Sequence, residues 1–213
     1  MIKVSPSVLA CDFTKLGEEV ESIKNSGADM VHLDVMDGVF VTNISFGLPI
    51  IEALRKKSDM FFDVHLMITE PEKYAERFVK AGADLVTFHY EATDKPLEVL
   101  NLIKKAGAKA AISVKPNTPV EKIFEFLPYC DMVLIMTVEP GYGGQALIPE
   151  TLDKVRELKI EIEKRGLSVD IQVDGGITPQ TAVDAKLAGA NILVAGSSVF
   201  KAKDRKSAID ALR

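Results

Sequence analysis

The chain lacks several features, and each absence removes a class of protein. Its 213 residues include only two cysteines, Cys11 and Cys130, which form no motif. They read as free thiols in a reducing compartment, which points to the cytoplasm. No apolar run approaches the roughly 18–20 residues of a membrane span, and the opening MIKVSPSVLA does not resemble a signal peptide. Positive charge is not in excess. The net charge is −5, with both signs scattered along the chain. That argues against a nucleic-acid or polyanion partner and leaves a small-molecule ligand open. No stretch rich in proline, glycine or serine marks a linker, so residues 1–213 are expected to form a single domain around one core.

What the chain does contain is a repeated small pattern. A charged amphipathic stretch ends in Gly-Ala and an apolar run follows, at NSGADMVHLDV (25–35), KAGADLVTFHY (80–90), KAGAKAAISVK (105–115) and LAGANILVAGS (187–197). Glycine at a helix end supplies a left-handed cap, after which the chain enters a strand. Near-continuous apolar runs of this length suit parallel strands covered by helices. Further strands are predicted at 3–10, 61–68, 131–138 and 170–176, making eight. Helices are predicted near 14–25, 47–57, 71–80, 95–105, 119–127, 149–165, 178–188 and 204–212. Pro71, Pro119, Pro149 and Pro179 fall near helix starts, where proline is tolerated. This alternation points to α/β architecture, a single (β/α)8 TIM barrel of eight parallel strands with outer helices. An open doubly wound sheet is the runner-up; it more often shows a Gly-x-Gly-x-x-Gly turn after its first strand, and none is present.

Polar residues interrupt the apolar strands. In DMVHLDVMDG (29–38), His32, Asp34 and Asp37 sit among Met30, Val31, Leu33, Val35 and Met36. Burying an unpaired carboxylate is expensive, so such residues rarely serve packing alone. Strand residues two apart share a face. His32, Asp34 and Met36 then point into the barrel, as do Asp63, His65 and Met67 on the third strand and Gln172 and Asp174 on the seventh. Active sites of this fold lie at the strand C-termini. Two histidines and two aspartates converging there suit a divalent transition metal such as Zn²⁺, Fe²⁺, Mn²⁺ or Co²⁺. A metal-free His–Asp hydrogen-bond network would use the same residues. His89 also lies near a strand end, as a mouth residue or as a satisfied structural histidine. Met36, Met67 and Met136 have inward parity at strand ends and would form either core filling or an apolar lid.

The last three strands run into glycines: EPGYGGQ (139–145), VDGGI (173–177) and AGSSVF (195–200). Such loops let a backbone approach a ligand, and the loops after strands seven and eight often bind phosphate at a short helix N-terminus. Gly141, Gly143, Gly144, Gly175, Gly176, Gly196 and Ser197 are the candidates, with Ser198 as a further hydroxyl donor. Tight turns alone would also explain any one loop. A phosphate site beside a chelating centre describes a phosphorylated keto-sugar. A metal would steady an enediolate while Asp34 and Asp174, from separate strands, work opposite faces of one carbon. That reaction is epimerisation.

The motifs SPSVLACDF (5–13), HLDVMDG (32–38), DVHLMI (63–68), EPGYGGQ, VDGGI and AGSSVF, in this order, resemble the ribulose-phosphate 3-epimerases nearly end to end. The resemblance implies metal-dependent interconversion of D-ribulose 5-phosphate and D-xylulose 5-phosphate, with one divalent ion per chain. It implies His32, Asp34, His65 and Asp174 as metal ligands, Asp34 as proton acceptor and Asp174 as donor. Ser7, His65 and the three methionines would contact substrate, and the glycine loops with Ser197 would hold the phosphate. A homo-oligomer, dimer or hexamer, is expected. Val39, Thr42, Asn117 and Tyr142 depart from the usual family pattern without removing a proposed ligand. D-allulose 6-phosphate is the alternative substrate. A metal-free decarboxylase would need an Asp-x-Lys-x-x-Asp array, and Met36 stands where that lysine would be. A non-catalytic phosphosugar-binding barrel is the remaining alternative.

Overall fold

The computed structural model describes residues 2–213. Its strands are β1 (Lys3–Pro6), β2 (Met30–Met36), β3 (Phe61–Met67), β4 (Leu85–His89), β5 (Lys109–Val114), β6 (Met132–Met136), β7 (Asp170–Asp174) and β8 (Ile192–Ala195). All pair in parallel, in the order β1-β8-β7-β6-β5-β4-β3-β2. A single parallel bridge between Ser7 and His32 brings β1 against β2, so the sheet nearly closes into a (β/α)8 barrel. The α-helices are α1 (Leu16–Asn25), α2 (Leu48–Arg55), α3 (Ala75–Ala81), α4 (Pro96–Ala106), α5 (Thr151–Lys164), α6 (Pro179–Ala188), α7 (Ser197–Phe200) and α8 (Arg205–Asp210). Among the described residues no helix is long and apolar enough to cross a membrane.

The predicted punctuation operates as local chemistry. Gly82 and Gly107 close α3 and α4 at φ +117° and +102°, where a side chain would be strained. Pro96 and Pro179 each open a helix. Strand alternation sorts the two faces. Val31, Leu33 and Val35 join the main core with helix residues such as Val20, Ile23, Ile51 and Leu54. Inward-facing Met30, Leu85, Ala111, Met132 and Ile192 form a separate apolar plug at the strand starts. Toward the strand ends the interior turns polar.

Three local readings need correction. The segment 119–127 is not an α-helix but a 3₁₀ helix, Val120–Tyr129, capped by Pro119. Pro128 inside it can donate no helical hydrogen bond, and its ring would clash with a preceding α-helical turn. The segment 71–80 is split into a 3₁₀ turn, Pro71–Lys73, and α3. The first strand stops at Pro6 rather than running to 10, because Ser7 caps a 3₁₀ turn, Val8–Ala10, by accepting the Leu9 N–H.

Candidate active site

Register assembles the centre. In the β2–β3 ladder His32 lies opposite Asp63 and Asp34 opposite His65. All four side chains are buried. His32 Nδ1 lies 2.8 Å from Asp63 Oδ2, which also accepts from Ser5 Oγ at 3.0 Å and Gln172 Nε2 at 2.6 Å. Three neighbours therefore hold Asp63, and Asp63 aims His32 Nε2 at the centre. That nitrogen lies 3.3 Å from Asp34 Oδ1, 3.4 Å from His65 Nδ1 and 3.8 Å from Asp174 Oδ2. His65 Nδ1 lies 3.2 Å from Asp34 Oδ1 and 3.8 Å from Asp174 Oδ2. One donor atom from each of His32, Asp34, His65 and Asp174 thus falls within 4.8 Å of all the others. Two imidazoles and two carboxylates around one point fit a divalent transition metal.

The electrostatics separate the two aspartates. Burial works to raise the pKa of Asp34, but the charge and hydrogen bonds of His32 and His65 outweigh it and hold it well below the usual carboxylate range. Burial and the neighbouring Asp34 charge push Asp174 the other way, to about 6. Burial opposes a charged His32, yet Asp63 and Asp34 together keep its pKa well above the ordinary value. Burial lowers His89 to about 4, so it is neutral.

The remaining polar residues of the strand ends have clear employment. Ser7 Oγ donates to Asp34 Oδ2 at 2.5 Å. Asp37 is no part of the cluster. One of its oxygens accepts the Val39 and Phe40 N–H groups and the other accepts the N–H and hydroxyl of Thr69, tying the β2 loop to the β3 loop. Sequence reasoning did not assign roles to Asp63, Ser45 or Glu91. Asp63 carried a usable signal, inward parity two residues before His65. Ser45 carried none: its hydroxyl donates to the Asp34 carbonyl at 2.5 Å across a loop.

Above the cluster opens a cavity of about 510 Å³ lined by Ser7, Asp34, Asp174, Met36, Met67 and Met136. Gly141, Gly143, Gly144, Gly175, Gly176, Gly196 and Ser197 line it as well. The lining includes four carboxylates, Asp34, Glu139, Asp174 and Asp184, and neither lysine nor arginine. Ser198 does not serve as a donor here, because its hydroxyl is engaged by the Ile177 carbonyl at 2.8 Å. The structure thereby joins the β7 and β8 loops. Val39 is 76 % exposed and, like Thr42 and Asn117, lies outside the lining; Tyr142 lies within it. Asn117 donates to Glu139 at 3.3 Å.

Two of the glycines are required by packing. Gly176 has φ +67°, and a Cβ there would stand 2.2 Å from the Leu147 backbone nitrogen. Gly175 has φ +121°, and Val138 occupies its missing side chain's space at 2.4 Å. The β6 and β7 loops therefore meet backbone to backbone. A valine at position 176 should destabilise the protein by about 2–4 kcal/mol, from backbone strain plus overpacking. A denaturant titration with an unchanged midpoint would contradict this.

Fold and site together define a (β/α)8-barrel enzyme whose reactive groups gather at the strand C-termini. The model of the Ribulose-phosphate 3 epimerase family matches residues 3–200, and the chain belongs to that family of isomerases. It is 48% identical over 221 residues to the ribulose-phosphate 3-epimerase of Eremothecium gossypii, covering 99% of this chain and 91% of the relative. It is 47% identical over 214 residues to that of Bacillus subtilis, covering 100% and 99%. Among solved structures, a 3-keto-L-gulonate-6-phosphate decarboxylase from Vibrio cholerae superposes with a TM-score of 0.73 at 16% identity, over 100% of this chain and 95% of that one. At that identity the likeness is one of fold.

Proposed function

We propose that the protein interconverts D-ribulose 5-phosphate and D-xylulose 5-phosphate, moving the proton at C3 between two carboxylates. The observation that carries this reading is the pair Asp34 and Asp174, on strands three steps apart around the barrel. Both lie within 3.8 Å of the same two imidazole nitrogens. Their environments drive their pKa values apart, the pattern expected of an acid and a base that share one site. Asp34, kept ionised, accepts the C3 proton; Asp174, the more readily protonated, delivers one to the opposite face. In the reverse direction the roles exchange.

His32, Asp34, His65 and Asp174 would hold one divalent ion, Zn²⁺, Fe²⁺, Mn²⁺ or Co²⁺. When bound, it supplies a Lewis acid for the negative charge that develops on the substrate oxygens. The four-carboxylate lining supports such a cation, because a phosphorylated ligand adds further negative charge to a cavity with no basic side chain. The phosphate would be met by backbone and hydroxyl groups of the three glycine loops and Ser197. Ser7 steadies one oxygen of Asp34 at the substrate edge. Met36, Met67 and Met136 are nearly fully buried around the carboxylates and would exclude water from the intermediate. Decarboxylase chemistry on the same fold is disfavoured, since Met36 stands where its lysine would be and the lining holds no other. Assay of the purified protein on D-ribulose 5-phosphate and D-allulose 6-phosphate, with metal analysis, tests the reading. Turnover of neither would overturn it, and preference for the second would reassign the substrate.

The metal reading also predicts a proton count. In the metal-free protein the raised pKa of His32 keeps Nε2 protonated near neutrality, although burial opposes that charge. A metal needs the lone pair of that nitrogen, so loading at pH 7 should expel about one proton per chain. Affinity should fall further as pH drops through about 6, where Asp174 takes up a competing proton. Calorimetry in two buffers of different ionisation enthalpy measures the release. Identical heats in both would contradict it.

A further inference from the structure

The chain has three histidines, and two of them, His32 and His65, each give an atom to the candidate metal cluster. The third, His89 at the end of β4, is fully buried, and its Nε2 lies 2.9 Å from Nε2 of His65. The rings are 5.0 Å apart between centroids. On the far side, Nδ1 of His89 stands 3.4 Å from Oε2 of Glu91, outside hydrogen-bond geometry, and has no other partner. Glu91 is itself held: its Oε1 accepts the Lys115 N–H at 2.7 Å and the Thr118 hydroxyl, both on the β5 loop. Phe40, from the β2 loop, packs on the His89 ring with centroids 4.9 Å apart, and Lys115 Nζ sits 3.8 Å above Phe40.

The two imidazoles that face the centre are thus backed differently. His32 is backed directly by the carboxylate of Asp63; behind His65 there is a second imidazole and only then a carboxylate. Two nitrogens 2.9 Å apart share one proton, so one donates and the other accepts. A neutral imidazole that offers one nitrogen to a metal carries its proton on the other. His65 directs Nδ1 at the cluster, so its Nε2 carries the proton and gives it to His89. His89 must then hold its own proton on Nδ1, facing Glu91.

We propose that His89 and Glu91 are positioning residues for the reaction, forming a relay His65–His89–Glu91 that fixes the tautomer and ring orientation of His65 for metal. The inference rests on the metal reading above and adds to it a tautomer and two residues. The relay also ends on the β5 loop, so the same carboxylate that orients the buried pair ties the β4 and β5 loops together.

Nitrogen-15 NMR of the zinc-loaded, histidine-labelled protein reads the tautomers directly, with only three side chains to assign. Expected are a proton on Nε2 of His65 and on Nδ1 of His89, with Nε2 of His89 bare. A proton on Nε2 of His89 would overturn the relay. Chelator competition then measures zinc affinity of the variants. His89→Phe should bind about 10–100-fold more weakly, the usual cost of losing such a partner. His89→Gln, whose side-chain oxygen can reach the place of Nε2, should bind within a few-fold of the unmodified protein. Glu91→Gln should fall between them. Unchanged affinity in His89→Phe, or equal loss in His89→Phe and His89→Gln, would reduce His89 to packing and sink the proposal. Should His89→Phe fail to fold, the tautomers of the unmodified protein still decide it. If the unmodified protein binds no zinc, Mn²⁺, Fe²⁺ or Co²⁺, the metal reading itself fails and the relay with it; binding with the wrong tautomer fails the relay alone.

Discussion

Replacement of Asp174 by asparagine should lower epimerase turnover by roughly 10²–10⁴-fold, the usual contribution of a positioned acid or base, while the barrel stays folded. The fold has little stake in this side chain. Its Oδ2 lies 3.8 Å from each of the two histidine nitrogens, and it accepts no side-chain hydrogen bond. The strand end is secured instead through its main chain, where the Asp174 carbonyl accepts the Thr137 N–H and hydroxyl, both at 2.8 Å. Because Asp174 is also one of the proposed metal ligands, lost activity by itself does not separate proton transfer from metal binding. Isotope exchange in the unmodified enzyme does. In D₂O the earliest product should carry solvent deuterium at C3, delivered by the carboxyl that had equilibrated with water before turnover. The earliest recovered substrate should carry less, since Asp34 lies buried under Ser7 and returns the proton it took. One base working both faces would instead move the original hydrogen into product. Substantial internal transfer would therefore falsify the two-carboxylate reaction.

Replacement of His32 by alanine should abolish metal retention and leave little activity. Exhaustive chelation of the unmodified protein should do the same, reversibly. The expected loss exceeds that of a single ligand, because His32 also satisfies Asp63. Without the imidazole, a carboxylate with no solvent exposure keeps only Ser5 and Gln172 as partners, and its other oxygen already has none. An uncompensated buried charge of this kind costs about 3–5 kcal/mol, so the variant should also melt earlier. His65→Ala should lose metal with less loss of stability, since of the partners it leaves behind His89 is neutral and Asp34 still keeps Ser7 and His32. Full activity after chelation, with no metal detected, would remove the ion from the chemistry. Equal melting of the two variants would contradict the placement of Asp63 behind His32.

Much of this was legible in the chain before any coordinates. Parallel strands covered on both faces must be apolar, so eight short apolar runs between amphipathic stretches announced the barrel. Against that background His32, Asp34, His65 and Asp174 stood out because charge inside a strand is costly, and their parity alone pointed all four inward. Gly82, Gly107 and Pro179 worked at the places they marked, since a cap or a first helical turn depends on the residue itself and its immediate neighbours. The segment 119–127 defeated the same reasoning: its apolar spacing suits an α-helix, and Pro128 turns it into 3₁₀.

What the sequence by itself determined, then, was everything set by short-range geometry and by the cost of burying charge: the strand count, the inward residues and the loops that close the mouth. Tertiary structure alone decided which inward residues touch. Asp63 backs His32 only because β2 and β3 pair without offset. His89 backs His65 only because the β3–β4 register sets Thr87 opposite His65 and leaves His89 two residues further along β4, and Ser198 closes on Ile177 instead of facing the cavity. Gly176 is needed because the Leu147 backbone lies against it. Each of these contacts joins residues brought together by strand register or loop packing, and such distances depend on the closed barrel as a whole rather than on any segment of it.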